Sequence, residues 1–354
     1  MLKKLQLLLS IVTISVIYSY AQNFEKFTSY KHIEDGIKLH DEEKYKEAIL
    51  EFKKVNKNDT NFVLAVLELA NSYIANKQDS LAVIACNQAL HITSPYAPSV
   101  MLYKANALDN MGKSDEAIKI YQEGSKKYPL NYSFNYELGI LYYKKKKYAE
   151  AHGMFVQAIK VNPYHASSHL QMGNLAIQQG KIVPAMLAWS YFLTIESSTD
   201  RAKEVVIKLE KLSNNEFQFD DAITIESQKD LDDFSEVEAL VKSKIALTNK
   251  YKSEIDINYT INKQLQLIVE KMTVDKSDKG FYMQFYAPIY KDIYKNDYFE
   301  PFVYGIFSGL KIPKVDSWNK KNKKTIEQFG DWFADYLGKN YLTYPTTLNG
   351  KTVT

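Results

Sequence analysis

The chain contains side chains capable of chemistry, but not at spacings that would make them work together. His165 and His169 stand four apart, which on a helix would put two imidazoles on one face, as zinc sites do. Pro163 breaks the chain just before them, however, and His169 falls at a packing position of the repeat pattern set out below, so the pair reads as structural. MGKS at 111–114 imitates the end of a phosphate-binding loop, but the glycine required five positions before Gly112 is Ala107, and a helical pattern rather than a strand precedes it. Neither GxSxG nor HExxH occurs, and the six histidines have no companion that would complete a nucleophile and its base. Asp220-Asp221 and Asp232-Asp233 are sequence neighbours that point apart on a helix and are expected to be solvated. Cys86 is the only cysteine, so there is no internal disulfide and no cysteine-based metal site. The expectation is no catalytic residue, no metal and no cofactor.

Charge narrows the partners. The run YYKKKKYAEA, 142–151, invites a nucleic-acid reading. Yet Arg201 is the only arginine, and without Lys3 and Lys4 the chain has 43 basic against 42 acidic residues. A nearly neutral chain without bidentate guanidinium forks has no field to collect polyanions, so no nucleic-acid partner is expected. At 25% charged and 45% hydrophobic residues, the composition is that of a folded globular protein.

The elements that must carry any site appear when the chain is compared with itself. Alanine recurs at 48, 82, 117, 151 and 185, at spacings of 34, 35, 34 and 34. Twelve residues before each stands Gly36, Ala70, Ala105, Gly139 or Gly173, and four after each stands Phe52, Cys86, Tyr121, Phe155 or Trp189. Three later come Val55, Ala89, Gly124, Ala158 and Phe192, and the one extra residue falls in the stretch holding Pro95 and Pro98. Two helices joined by a tight turn approach closely only where their crossing points lack bulk. The aromatic then fills the gap toward the next pair, and stacked pairs bury what one pair cannot.

This pattern resembles the tetratricopeptide repeat family over residues 29–199, as five repeats starting near Ser29, Val63, Pro98, Tyr132 and Ala166. Repeat four matches best, with Leu138-Gly139, Tyr142, Tyr148, Ala151, Phe155, Ala158 and Pro163. Repeats one and two depart at Asp35 and Cys86. The resemblance implies an all-α, right-handed superhelical solenoid of five helix-turn-helix repeats. Lys144–Lys147 then occupy the solvated turn of repeat four. Residues 200–213 place Ala202, Val205, Val206, Leu209 and Leu212 on one face, as a capping helix would, so the expected solenoid spans 29–214.

The resemblance also implies that the first helix of each repeat lines a concave side where peptides bind. The inward positions map to Glu68, Asn71 and Ala75; Tyr103, Asn106 and Asn110; Glu137, Ile140 and Lys144; and Gln171, Asn174 and Gln178. A carboxamide both donates and accepts, so asparagine suits a peptide backbone, although it equally suits bonding to a neighbouring repeat. Family members that grip a C-terminal carboxylate carry basic residues at positions where this chain has Ser99, Ser133, Ser167, Leu67, Leu102 and Leu170. That departure favours an extended or helical protein segment held by apolar and backbone contacts.

Both ends of the chain differ in character. Residues 1–21 have two lysines, an apolar run from Leu5 to about Ile17 and Ser19-Tyr20-Ala21, the pattern of a cleaved secretory signal. An uncleaved anchor is the alternative, and the absence of cysteine at the junction excludes a lipid anchor. The remainder has no apolar run near the roughly 20 residues that cross a bilayer. The expectation is an exported bacterial protein, periplasmic or associated with the cell envelope. Residues 215–354 are expected to form a helical module of unknown task. Within it, 216–238 hold nine carboxylates, helices are expected around Leu231–Ile245 and Ile261–Met272, and Tyr282, Tyr286, Tyr290, Tyr294 and Tyr298 recur at steps of four. That stripe is either an exposed aromatic face for glycan or peptide, or the wall of a helical core; such stripes usually pack inward. Pro288 splits or kinks the segment near Ala287, Pro301 suits the start of a helix ending near Gly309, and a last helix is expected from Asp316 or Ser317 to Leu337, stopped by Gly338. Lysines at 311, 314, 320, 321, 323 and 324 are either a contact for anionic lipid or cell-wall phosphate or, as is more common for such a run, a wet helix face turned to the acidic 216–238 stretch. Taken together, these features indicate a non-catalytic scaffold binding a protein or peptide. The alternative makes the repeats a platform for a C-terminal helical enzyme or cell-wall-binding module.

Overall fold

The computed structural model describes residues 29–217, 232–274, 280–341, 346–348 and 351–353. The expected signal segment and most of the acidic stretch lie outside these residues. The chain divides into two compact units, Met1–Phe134 and Asn135–Thr354, so the compositional boundary at 214/215 lies inside the second.

The first unit is built of hairpins of α1 (29–41) with α2 (Tyr45–Phe52), α3 (Phe62–Ala75) with α4 (Asp79–Ala89) and α5 (Ala97–Asn110) with α6 (Ser114–Lys127). The recurring small residues do what the spacing predicts. A Cβ on Gly36 would lie 2.5 Å from Phe52 Cε1, and Phe52 is buried. Where the facing residue is Cys86 or Tyr121 rather than Phe, the small partner is Ala70 or Ala105, all four buried.

The turns keep the same rhythm. Glu43, Lys77, Gly112, Lys146 and Gly180 all have positive φ, between 57° and 77°. The residue after each donates its N–H to a carbonyl five back, as in Lys44 to Leu39 at 2.9 Å, Gln78 to Tyr73 at 2.8 Å and Lys147 to Tyr142 at 2.9 Å. This left-handed closure satisfies carbonyls that a helix end would otherwise leave bare. Lys146, with exposed Lys144, Lys145 and Lys147 around it, thus serves the turn of repeat four.

In the second unit, α8 (Tyr148–Val161), α9 (Ala166–Gln178) and α10 (Ile182–Ile195) continue the repeats after α7 (Tyr132–Lys144). Gly139 faces Phe155, where a Cβ would come within 2.6 Å of Cε1, and Gly173 lies under the Trp189 ring. The rhythm runs one helix further than the alanines do. After α11 (Asp200–Ser213), Asn215 has φ 54° and Glu216 N–H reaches Lys211 O at 2.8 Å, the same closure in register.

The later helices are α12 (Ser235–Lys242), α13 (Thr260–Lys271), α14 (Ala287–Lys295), α15 (Phe299–Ile306), α16 (Pro313–Lys321) and α17 (Lys323–Asn340). They share one apolar core with α8–α11. Residues 182–193 of α10 are consequently buried on every side. Three of the five tyrosines of the stripe pack fully inward, Tyr282, Tyr286 and Tyr290 being at most 1% exposed, while Tyr294 and Tyr298 are half-buried against the same core. The hydroxyls of the first three reach Met172 O at 2.7 Å, His169 Nδ1 at 2.8 Å and Leu187 O at 2.8 Å. Burying each ring is worth roughly 2–3 kcal/mol, and no hydroxyl among the three is stranded.

The proline at 288 acts as expected, since α14 begins at Ala287 after a π-helical turn, Tyr282–Tyr286. Three expectations need correction. The last helix is two, because Asn322 closes α16 by donating from Nδ2 to Trp318 O at 2.9 Å and α17 begins directly after it. Gly338 does not stop α17, which runs on to Asn340. Asp232 and Asp233 are not merely solvated: Asp232 Oδ1 accepts from Met283 N–H at 2.7 Å, and Asp233 Oδ1 accepts from Ser235 N–H at 3.1 Å. The all-α expectation holds, and beside the helices one short hairpin pairs Thr346–Leu348 antiparallel with Lys351–Val353. The six lysines of 311–324 are exposed, with Lys314 bridging to Asp256 at 2.8 Å. No helix among the described residues is long and apolar enough to cross a membrane.

Candidate functional site

Glu68 and Asn71 lie on α3, and Tyr103, Asn106 and Asn110 on α5, the first helices of their repeats. All but the exposed Asn110 are half-buried, a state that combines fixed geometry with residual access. Glu68 is held above the ordinary carboxylate range by burial first and by the like charge of Asp41 second. Burial, and then the Glu68 charge, push the Tyr103 phenol up. Asp41, Glu68 and Tyr103 are therefore electrostatic neighbours on three successive first helices.

The amides also do structural work. The His40 ring joins Asn71 and Ser72, with Nε2 3.3 Å from Asn71 Nδ2 and Nδ1 2.8 Å from Ser72 Oγ. Asn106 Oδ1 accepts from the hydroxyl of Tyr121, the bulky residue of its own repeat. Asn110 donates to Asp79 Oδ1 at 2.8 Å, linking adjacent repeats. Each of these bonds uses one atom of a group that offers two donors and an acceptor.

In the second unit, Glu137 lies on α7 and Gln171, Asn174 and Gln178 on α9, all half-buried. Asn174 donates from Nδ2 to Gln171 Oε1 at 3.1 Å. The structure adds neighbours the sequence reading passed over. The Tyr136 phenol interacts with Ser167 and Gln171 and is raised mainly by burial. Tyr143, raised mainly by burial, meets Gln178. Arg201 Nη1 donates to Ser167 Oγ at 2.9 Å, while its Nε and Nη2 grip the Glu196 carboxylate. Arg201 stands 34 residues after Ser167, so carrying the register one helix past the alanines would have found it. Its charge is already matched by Glu196, which keeps this face from being a bare anion trap.

The residues considered for chemistry take other roles. His169 is buried, donating from Nε2 to Pro163 O at 2.9 Å and accepting at Nδ1 from Tyr286. Burial depresses it to about 3, so it is a neutral packing residue. His165 turns to Ser168 Oγ at 2.8 Å and is depressed to about 4, again mainly by burial. The two imidazoles therefore have separate partners. Gly112 of MGKS closes the α5–α6 turn with φ 77°. Among the described residues, no group of three or more His, Cys, Asp or Glu is placed to hold a metal ion.

Residues 102–152 match the sequence model of the family described as Tetratricopeptide repeat. No curated protein matches the chain. Among solved structures the chain is similar to pilF of Pseudomonas aeruginosa, with 20% identity, TM-score 0.46 and coverage of 54% of this chain and 85% of that one. It is also similar to MamA, with 19% identity, TM-score 0.37 and coverage of 54% and 97%. The matched residues run from α5 into α8, and the small-residue crossings and left-handed turn closures of the hairpins on either side repeat at the same spacing.

Proposed function

We propose that this chain is an exported, non-catalytic scaffold of the bacterial periplasm or cell envelope that holds an extended protein segment against the first helices of its repeats. The observation that supports this most is chemical. Glu68, Asn71, Tyr103 and Asn106 in one unit mix carboxylate, amide and aromatic, and Glu137, Gln171, Asn174 and Gln178 in the other mix carboxylate and amide, all half-buried at repeating positions. Amides that bond a backbone in either direction, set beside apolar surface, suit a segment read through main chain and apolar side chains.

Affinity capture from an envelope fraction tests the reading, comparing wild type with a Tyr103→Ala, Gln171→Ala, Asn174→Ala variant. Asn106 is left intact because its Oδ1 serves the buried Tyr121, so its removal would disturb folding. Loss of the captured protein with unchanged circular dichroism is expected; undiminished capture removes these faces from consideration. Export is tested by the mass of the protein recovered from cells, which should lack the first 21 residues of the sequence.

A further inference from the structure

One strongly charged surface of the second unit has no part in the repeat faces. Residues 311–324 carry six exposed lysines against a single carboxylate, Asp316, with Glu327 a turn further on. The stretch leads into α16, forms it and crosses the break at Asn322 into the first turn of α17. Lys314 is matched by Asp256 at 2.8 Å. Among the described residues, Lys311, Lys320, Lys321, Lys323 and Lys324 form no ion pair. The acidic stretch does not supply the missing counter-charge, because its described carboxylates bond elsewhere. Asp232 takes the Met283 N–H, Asp233 holds Ser235, and Glu238 accepts from Val183 N–H at 3.2 Å and pairs with Lys242. On α16 the buried Val315 and half-buried Trp318 mark the inner side, which leaves Lys314, Lys320 and Lys321 on the outer one. Trp318 stacks on Tyr304, the centroids 4.1 Å and the planes 3° apart, and no large apolar side chain of the stretch is exposed.

We propose that residues 311–324 are a peripheral contact for the anionic head groups of a lipid bilayer. Lys314 and Lys321 stand roughly 10 Å apart along α16, and the remaining lysines continue past Asn322. Charges spread in this way do not converge on one phosphate; they fit a surface that presents many separate anions. Lysine suits that task as a compact, hydrated point charge, whereas a phosphorylated protein partner is better held by guanidinium forks, which the stretch lacks. A single-stranded nucleic acid calls for open rings on which bases stack, and here Trp318 and Tyr304 spend their faces on each other. With nothing apolar to insert, attraction is electrostatic alone, worth about fivefold in affinity for each lysine at an anionic leaflet and reversed by salt. These residues are not those of the repeat faces, so either reading can fail without the other.

Co-sedimentation of the full chain with vesicles of phosphatidylglycerol and phosphatidylcholine, compared with vesicles of phosphatidylcholine alone, tests this. The chain should favour the anionic vesicles at low salt and leave them at high salt. Lys320→Gln with Lys321→Gln should weaken that binding about thirtyfold with circular dichroism unchanged, since both side chains are exposed. Lys144→Gln with Lys145→Gln makes the same change of charge at the turn of repeat four and should leave binding nearly unaltered. Lys3, Lys4 and the apolar run after them are common to every variant, so their contribution cancels in the comparison. Equal binding to the two kinds of vesicle overturns the proposal, as does wild-type binding by the Lys320, Lys321 variant. An equal loss in both variants overturns it too, because net charge would then be the cause. Tighter binding of soluble polyphosphate or single-stranded DNA than of the anionic vesicles replaces the bilayer with a polyanion and sinks the lipid assignment.

Discussion

Two glycines fourteen residues apart give opposite expectations for the same substitution. Gly139 on α7 faces the Phe155 ring, where an added Cβ would meet Cε1 at 2.6 Å, Cδ1 at 2.7 Å and Cζ at 3.1 Å. Carbon atoms rest at about 3.5 Å or more, so the new methyl is short by roughly 0.9 Å against a ring that is fully buried and has nowhere to move. Overpacking of this kind costs about 1–3 kcal/mol, against about 1 kcal/mol gained from alanine's better helix propensity. Gly139→Ala should therefore range from neutral to about 2 kcal/mol destabilising. Gly153, inside α8, has nothing within 4 Å of a built Cβ, so Gly153→Ala should stabilise by about 1 kcal/mol. Urea denaturation followed by far-ultraviolet circular dichroism measures both. In a Phe155→Leu background, which narrows the facing side chain, Gly139→Ala should turn favourable, and the double-mutant cycle isolates the contact. If Gly139→Ala stabilises as much as Gly153→Ala in the wild-type background, close approach through small residues is not what joins these helices.

Three further outcomes follow from named contacts. Lys77→Gly and Lys146→Gly, both at left-handed turn positions, should each stabilise by about 0.5–1 kcal/mol, whereas Gly180→Ala should cost about 1 kcal/mol in the same melts. His169 is held neutral with a folded pKa depressed to about 3, so its stabilising contribution is complete above its unfolded pKa near 6.5 and is lost as pH falls below that value. Relative to His169→Gln, the wild type should lose about 2 kcal/mol between pH 7 and pH 5; parallel pH curves for the two proteins would contradict this. Tyr290→Phe removes the hydroxyl that donates to Leu187 O inside the core and should cost about 1–2 kcal/mol in thermal or urea unfolding. No measurable change would mean the tyrosine stripe holds by ring burial alone.

The candidate binding residues show how far sequence reading carries. Glu68, Asn71, Tyr103 and Asn106 lie on first helices as the period places them, because helical phase depends only on residue spacing. That Asn106 would be engaged by Tyr121, or Asn71 by His40 across 31 residues, does not follow from phase. Side-chain hydrogen bonds depend on rotamers and on the separation of two backbones, and neither has a period. Arg201 was missed for a simpler reason: the alanine signal ends at repeat five, while the turn closure at Asn215 keeps the register for one more helix.

What the sequence alone determines here is local. Recurrent small and bulky residues set which helices pair and where they cross, and prolines set where α14 and α15 begin. All of these act within a few tens of residues, where pattern and sterics are read directly. The tertiary structure decides what pairs distant residues. Tyr286 meets His169 across 117 residues, Tyr282 reaches Met172 across 110, and Gln264 donates to Ser213 O and Val241 O at the ends of two other helices. A buried hydroxyl or amide must find a partner, but its sequence position does not say which one. Only the packing of the later helices onto α9–α11 supplies that answer, and it turned an ambiguous aromatic stripe into a core wall.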